Sequence, residues 1–216
     1  MSLQRARVRL VAAALGLACA VASAAPADTA LDRYLDGLRA WRASYTQTLT
    51  DARGRARGET QGVLLIQRPG KFRWESAPRG ATATAQLMIA DGRNLWFYDR
   101  DLEQVTVKAA ARALSATPAA LLSGAAPLRE AFGVEAKGQR DGLEWVAVQP
   151  KSVDAEFRSA RFGFAGLELR RLEIDDKLGQ RAELRFARSE RNGEVRADEL
   201  AFATPAGVDV IGKPVQ

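Results

Sequence analysis

The chain has 216 residues, a formal net charge of +6 at pH 7, one cysteine and no histidine. These absences exclude a histidine-dependent catalytic triad and a metal site built on histidine. The length is sufficient for one domain with its own hydrophobic core.

Residues 1–24 have the layout of a secretory signal peptide. Three arginines near the start precede an apolar stretch, Leu10–Val21, and a cleavage motif of small residues, Ala22–Ala24. The apolar stretch is too short to cross a bilayer, which takes about 20 apolar residues. We therefore expect an exported protein whose mature chain, residues 25–216, forms a single domain with 29 basic and 26 acidic residues, a net charge of +3.

Cys19 raises the alternative of a lipoprotein signal, which is cut immediately before a cysteine. Leu17 would then stand one place too close to the cysteine, so secretion without lipidation is favoured. Cleavage after Ala24 removes Cys19 and leaves neither a disulfide nor a thiol nucleophile. Binding to nucleic acid is not indicated either, because the basic run Arg53–Arg57 is short and contains no aromatic residue.

A helix is predicted after Pro26, with Asp28 or Thr29 as its N-cap. Gly37 falls inside this stretch, where glycine costs about 1 kcal/mol of helix propensity relative to alanine. The apolar residues recur at i, i+3, i+4 and i+7 and form one stripe: Leu31, Tyr34, Leu35 and Leu38.

From Trp41 the apolar period changes to two, which predicts an antiparallel sheet of strands joined by short turns. The parity of the apolar residues changes inside one strand, so a bulge is expected near Arg170-Arg171. The tail, Leu200–Gln216, is expected to be mostly irregular, with Phe202 and Val208–Ile211 docked. The predicted strands are Trp41–Leu49, Glu59–Arg68, Lys71–Glu75, Gln86–Ala90, Asn94–Tyr98, Leu102–Val107, Gly133–Ala136, Leu143–Gln149, Ser159–Phe164, Leu167–Asp175 and Arg181–Arg188.

Arg68 ends a strand face that also carries Leu64 and Ile66. An unpaired buried guanidinium would cost several kcal/mol. Arg68 therefore needs an acidic partner, the carbonyls at the end of a covering helix, or a path to solvent, and the pattern alone favours solvent. The neighbouring Phe72 and Trp74 fit either a plain core or the wall of an apolar cavity, and periodicity alone favours the core.

The strand pattern breaks over residues 109–128, where alanine dominates. Thr117-Pro118 predicts the start of a short helix, because threonine caps helices and proline suits the first helical position. This helix carries Leu121 and Leu122 and stops at Gly124. A helix so short and weakly fastened could lie across the sheet as a cover.

Two pairs of carboxylates remain as candidates for acid–base catalysis, Asp99 with Asp101 and Asp175 with Asp176. Each pair lies in a polar turn, where aspartate is expected for backbone hydrogen bonding alone. The sequence contains no phosphate-binding loop and no nucleophile motif, so we expect no enzyme, no cofactor and no metal.

Several stretches, taken in order, resemble the LolA family of periplasmic carriers of outer-membrane lipoproteins. The likeness covers essentially the whole mature chain. The stretches that carry it are Trp41–Gln47, Arg68–Trp74, Ala90–Gly92 with Leu95–Asp99, Leu102–Val107, Thr117–Leu122 and Phe202–Val210.

The resemblance implies an incomplete, unclosed antiparallel β-barrel, mainly β, whose inner side is covered by helices and holds acyl chains. The family arginine that matches Arg68 bonds the lid helices in the closed, empty state, and opening breaks those bonds. Phe72 matches an aromatic residue at the cavity mouth, and Trp74 a neighbouring wall position. The residues expected to line the cavity are Trp41, Tyr45, Leu64, Ile66, Phe72, Trp74, Leu87, Ile89, Leu121 and Leu122.

The resemblance also implies a monomer in the periplasm that accepts acylated lipoproteins from the inner-membrane LolCDE complex and delivers them to the outer-membrane receptor LolB. Burial of each acyl methylene is worth about 0.8 kcal/mol, so acyl chains need a carrier to pass through water. Two alternatives stay open. One is a LolB-like receptor, which would need a lipidated cysteine, and the other is a LolA-like carrier of another lipid.

Overall fold

The computed structural model describes residues 28–113, 117–153, 155 and 157–215. The predicted signal peptide and its cleavage site lie outside the described residues. In the described part of the chain, none of the helices has the length and hydropathy needed to span a membrane. The helices are α1 (Ala30–Leu35), α2 (Ala110–Ala113), α3 (Pro118–Ser123), α4 (Leu128–Ala131) and a 3-10 helix (Ala197–Leu200).

Within the described residues, twelve strands form one sheet in the order β12-β6-β5-β4-β3-β2-β1-β11-β10-β9-β8-β7. Neighbouring strands are antiparallel except β12 and β6, which run parallel. The strands are β1 (Ala40–Thr50), β2 (Ala56–Gln67), β3 (Lys71–Pro78), β4 (Gln86–Asp91), β5 (Asn94–Asp99), β6 (Gln104–Ala109), β7 (Phe132–Arg140), β8 (Leu143–Pro150), β9 (Phe157–Ala165), β10 (Glu168–Asp176), β11 (Arg181–Arg191) and β12 (Asp209–Ile211). The sheet does not close on itself, because β12 and β7 are its edges.

The two faces of the sheet are covered differently. On the face that we call the inner face, α1 and α3 pack into the main hydrophobic core, where Tyr34 of α1 lies 5.3 Å from Phe164 between ring centroids. The opposite, outer face carries the C-terminal segment, and the ring of Phe202 packs at a tilt against Trp96 of β5, with 5.1 Å between the ring centroids. The predicted architecture, an unclosed antiparallel sheet with helices over one side, is confirmed.

Three local predictions are sharpened or corrected. The register of β10 against β9 shifts between Leu169 and Arg171, so the predicted bulge is confirmed. Thr29 caps α1 through a reciprocal bond with Asp32, but the helix ends at Leu35, before Gly37. Gly37 has a φ of 61°, a left-handed conformation that reverses the chain after the helix and that glycine adopts without strain.

The tail is more regular than predicted, because β12 is a strand that pairs with β6. Its three residues are exposed and contribute backbone hydrogen bonds more than core packing. The predicted docking of Phe202 is confirmed by its ring contacts with Trp96 and Tyr98.

Both carboxylate pairs have structural roles. Asp99 accepts hydrogen bonds from the backbone N–H groups of Asp101 and Leu102, as expected in a turn. Asp175 instead lies on the outer face, is only 6% exposed, and accepts hydrogen bonds from Arg161 at 3.0 Å and from Arg181 at 2.7 Å. This network ties β9, β10 and β11 together.

Asp175→Asn is expected to lower the free energy of unfolding at neutral pH by about 2 kcal/mol, because it removes the charge of a buried carboxylate that bonds Arg161 and Arg181, while Arg161 keeps its bond to Glu173. Burial acts to raise the pKa of Asp175, but hydrogen bonding to Arg181 and the charges of Arg161 and Arg181 outweigh it, so the pKa lies below the ordinary value of 3.8. The stabilisation is therefore complete above that ordinary value and is lost as the pH falls through the folded-state pKa.

Urea unfolding of both proteins over a series of pH values measures this effect. The difference in unfolding free energy should be constant near neutral pH and vanish in strong acid. A difference that stays constant into strong acid would show that the carboxylate charge is not its source.

Candidate functional site

The register of β1 to β4 fixes which side chains share the inner face, because directly paired residues of antiparallel strands point to the same side. Four rows cross these strands, beginning at the end of the sheet where Arg68 lies. The rows are Trp41, Ile66, Phe72 and Ala90; then Ala43, Leu64, Trp74 and Met88; then Tyr45, Gly62, Ser76 and Gln86; and last Gln47, Thr60 and Pro78.

Most of the predicted cavity residues lie together on this face. Trp74 is half-buried at the edge of the core, and the others are at most 4% exposed. Leu121 and Leu122 of α3 meet the sheet residues from the opposite side of the core. The members of this group are Trp41, Tyr45, Leu64, Ile66, Phe72, Trp74, Leu121 and Leu122.

The predicted placement of Leu87 and Ile89 in the cavity is wrong. Ile89 pairs with Arg73 and Leu87 pairs with Glu75, both on the outer face. Ile89 is nevertheless fully buried, because the C-terminal segment covers that part of the outer face. The apolar inner-face residues of β4 are instead Met88 and Ala90.

Phe72 also differs from its expected position. Its side chain is 0% exposed and belongs to the row nearest Arg68, beneath the helices, so it does not lie at an open mouth in this structure. The half-buried aromatic residues of the inner face are Trp74 and Phe97, which lie farther from Arg68 along the strands.

Arg68 follows the last residue of β2, and its guanidinium reaches the ends of two helices. Its Nη1 donates a hydrogen bond of 2.9 Å to the carbonyl of Leu35, the last residue of α1. The final carbonyls of a helix have no partner within the helix, so a forked cation suits this position. Of the three possibilities that the sequence left open, Arg68 adopts the one that uses helix carbonyls.

The same guanidinium packs against the end of α3. A Cβ atom on Gly124 would lie 2.5 Å from Nε and 2.6 Å from Nη2 of Arg68, so only glycine permits this approach. Gly124 also has a φ of 68°, which glycine tolerates best. Next to it, the N–H of Gly70 donates a 2.8 Å hydrogen bond to the carbonyl of Ser123, fastening α3 to the β2–β3 turn.

Side chains of α1 and α3 fill the centre of the inner face, so these two helices cover it. A cleft of about 210 Å³ opens beside this helical cover and is lined by uncharged residues. Pockets for small molecules usually measure about 300–1,000 Å³, so the cleft is too small for a pair of acyl chains unless α3 moves. The cleft residues are Tyr45, Gln47, Thr60, Trp74, Ser76, Gln86, Met88 and Phe97.

A buried polar contact separates the apolar rows from this cleft. The Tyr45 hydroxyl donates to the carbonyl of Glu75 at 2.9 Å and accepts a 2.7 Å bond from the indole Nε1 of Trp74. Burial raises the pKa of Tyr45 to about 12, so the hydroxyl stays protonated and can donate. The two rings meet edge to face at 5.9 Å.

Gly62 makes this contact possible, since a Cβ atom there would lie 1.8 Å from the Glu75 carbonyl oxygen and 2.9 Å from the Tyr45 hydroxyl. Gly62→Ala is therefore expected to destabilise the protein by about 3 kcal/mol, as in overpacked cores. Gly58→Ala is the matched control, because Gly58 lies in the same strand with nothing within 4 Å of its Cβ position.

Urea unfolding of the two variants measures the contrast. The control should retain or slightly exceed wild-type stability, because alanine reduces the entropy of the unfolded chain. Equal stability of the two variants would contradict the close approach at Gly62.

Sequence reasoning missed Gly62 and Gly124 as site residues. A glycine inside a strand often marks the close approach of another chain segment, and that signal was available for Gly62. For Gly124, the helix-ending role was predicted, but its contact with Arg68 joins residues far apart in the sequence.

The chain is similar to a known protein family and to several named relatives. The family model described as "Outer membrane lipoprotein carrier protein LolA" matches residues 36–203. A protein from Methylibium petroleiphilum named "Outer-membrane lipoprotein carrier protein" is 38% identical over 211 residues, which cover 98% of this chain and 100% of that protein. A protein of the same name from Dechloromonas aromatica is 38% identical over 183 residues, 85% of this chain and 86% of the relative.

Among solved structures, an uncharacterized conserved protein from Thermus thermophilus superposes with a TM-score of 0.53 at 14% identity, covering 84% of this chain and 96% of that one. At this identity the likeness concerns the fold alone. The family-model match extends over most of the chain, and the relatives are similar over nearly their full lengths. The resemblance predicted from the sequence is thereby confirmed, and the chain belongs to the LolA family of outer-membrane lipoprotein carrier proteins.

Proposed function

We propose that this protein is a periplasmic chaperone that buries the acyl chains of outer-membrane lipoproteins and carries them between membranes. It accepts them from the inner-membrane LolCDE complex and passes them to the receptor LolB, acting as a monomer and without turnover of its own. The names of its relatives, outer-membrane lipoprotein carrier protein, support the carrier role and do not favour the LolB-like receptor.

One observation carries the proposal: an apolar inner face is covered by a short helix, α3, whose leucines pack on it. Helix α3 has six residues, and isolated helices of this length are unstable in water. Its end is fastened to the β2–β3 turn by the Gly70–Ser123 bond and by the packing of Arg68 against Gly124. A cover of this kind can leave the sheet without disrupting the strands that support it.

The energetics suit a carrier. Each buried acyl methylene contributes about 0.8 kcal/mol, so lipid can displace the leucines of α3 from the inner face and take their place. The closed lid recovers part of that stabilisation when the lipid leaves, which makes release possible without an energy source. A ligand shifts such an equilibrium only by its differential affinity for the two states.

The test is to deplete the outer-membrane acceptor, purify the protein from the periplasm and identify copurifying molecules by mass spectrometry. Lipoproteins with intact acyl chains are expected. Phospholipid without lipoprotein would instead support the carrier of another lipid, and a mature protein that begins with an acylated Cys19 would support the receptor. A protein that brings down no lipid at all would contradict the proposal.

A further inference from the structure

The inner face changes from apolar to polar along the strands, away from Arg68. The first two rows across β1 to β4 hold aliphatic and aromatic side chains alone, apart from the thioether of Met88 and the indole N–H of Trp74. The third and fourth rows hold hydroxyl and amide side chains, together with Gly62 and, at the end of the fourth row, Pro78. The Tyr45–Trp74 contact lies at the boundary, so the change in polarity is abrupt and not gradual.

The polar rows open onto the cleft of about 210 Å³. All eight of its lining side chains are uncharged, and Gln47, Thr60, Ser76 and Gln86 bring neutral hydrogen-bonding groups to it. A lining of this kind discriminates against ions, which would have to be desolvated without a counter-charge. It suits neutral carbonyl groups, which accept hydrogen bonds from hydroxyls and amides.

Thr60 stands out within the cleft. Among the described residues, its hydroxyl oxygen is one of the few buried side-chain atoms with no hydrogen-bond partner. The neighbouring Tyr45 hydroxyl already donates to Glu75 and accepts from Trp74, so it has no donor left to offer. Leaving a buried hydroxyl unpaired is unfavourable, and native proteins tolerate it mainly where a ligand or water supplies the partner.

An acyl chain joined to a glyceryl group ends in an ester carbonyl, so it is an apolar chain with one neutral acceptor at its end. The two parts of such a lipid match different rows of this sheet. The acyl chain lies along the apolar rows, and the ester carbonyl reaches the polar rows. The geometry therefore also fixes an orientation, with the chain ends toward Arg68 and the linkage at the cleft.

Resting on the proposed carrier function, we propose that the cleft is a subsite for the ester linkage of the bound lipid, and that the Thr60 hydroxyl donates to an ester carbonyl. This subsite distinguishes acyl esters from other apolar chains of equal length. It adds specificity to a cavity that would otherwise recognise only apolar area.

The experiment measures the Kd of two synthetic lipopeptides that differ in one feature. One carries two ester-linked palmitoyl chains, and the other carries ether-linked chains of equal length, which lack the carbonyls. Thr60→Val removes the hydroxyl and keeps the shape of the side chain. Thr46→Val is the matched control, because Thr46 lies on the outer face of the neighbouring strand β1 and is exposed.

Thr60→Val should weaken binding of the ester lipopeptide about fivefold, equivalent to about 1 kcal/mol for one hydrogen bond, and leave binding of the ether lipopeptide unchanged. The control should change neither. The free variant should unfold at the same or a higher urea concentration than the wild type, because an unpaired buried hydroxyl has been removed.

Equal losses for both lipopeptides, or no loss for either, would overturn the ester subsite while leaving the carrier function intact. Failure of the wild type to bind either lipopeptide would overturn the carrier function itself. The two failures are therefore distinguishable.

Discussion

Arg68→Leu is expected to leave loading with lipopeptide intact and to reduce transfer to an acceptor about tenfold. In the structure the Arg68 guanidinium bonds the end of α1 and packs on the end of α3, and under the proposed carrier function both contacts break when α3 leaves the sheet. A hydrogen bond to a charged group contributes about 1.5–3 kcal/mol, and each 1.4 kcal/mol corresponds to a factor of ten.

The direction of the expected change in loading and transfer follows because lid opening and lipid binding are coupled. Stabilising the closed state lowers the fraction of open protein, and the apparent Kd for lipid rises by the same factor. Without Arg68 the open state is easier to populate, so lipid binds more tightly and leaves less readily. With the purified variant, a loading assay measures how tightly lipid binds, and a transfer assay measures how readily it leaves.

Gly124→Ala tests the same contact independently, because it should disrupt the packing of Arg68 on the end of α3 without changing Arg68 itself. The added Cβ would meet the guanidinium at 2.5 Å and displace it from the end of α3. Gly166→Ala is the matched control, with a similar φ of 61° but nothing within 4 Å of its Cβ position. Both variants carry similar backbone strain, so the displacement of Arg68 is what separates them.

Gly124→Ala should therefore behave like Arg68→Leu in transfer, and Gly166→Ala like the wild type. Normal transfer by both Arg68→Leu and Gly124→Ala would show that the Arg68 contact does not control the lid. Loss of transfer in all three variants would point to a general loss of stability.

Phe72→Glu is expected to destabilise the protein by more than about 4 kcal/mol. Phe72 is 0% exposed and packs in the main core, so the carboxylate would be buried without a partner and the aromatic packing lost. Any loss of lipid loading by this variant would then accompany unfolding and would not identify a contact at the cavity mouth. Urea unfolding followed by circular dichroism measures the change.

Lys71→Glu is the control for Phe72→Glu, because it adds a carboxylate at the neighbouring, exposed position of β3. It should change the unfolding free energy by less than about 0.5 kcal/mol, as surface substitutions usually do. If Phe72→Glu unfolded at the wild-type urea concentration, Phe72 would have to be accessible, and its burial beneath the lid would be wrong.

The sequence predicted those parts of the fold that one strand or turn determines by itself. Alternation divided each of β1, β2 and β3 into two faces and put Leu64 with Ile66 and Phe72 with Trp74, and the parity change in β10 placed the bulge. Thr117-Pro118 and Gly124 gave the bounds of α3. Each of these features depends on local backbone preferences or on the two-residue period of a strand.

Alternation gave no answer in β4. Its four consecutive apolar residues do not show which of their side chains face the inner side of the sheet. Leu87 and Ile89 face outward because the C-terminal segment, more than a hundred residues later, covers that side with Phe202. Strands covered on both faces lose the alternating pattern, as in buried parallel sheets. The contacts of Arg68 with Leu35 and Gly124 were likewise invisible to local patterns, and they needed the family resemblance to be expected.

The most direct test of the gated lid is a distance between the end of α3 and the sheet. Spin labels on cysteines at Ala126 and Thr46 suit the purpose, because both positions are exposed and the mature chain after the predicted cleavage has no other cysteine. Pulsed dipolar spectroscopy should give a single narrow distance in the empty wild type and a longer, broader one after lipopeptide is added. The empty Arg68→Leu variant should already show part of the longer distance. An identical narrow distance in all three samples would contradict a lid that Arg68 holds closed and lipid opens.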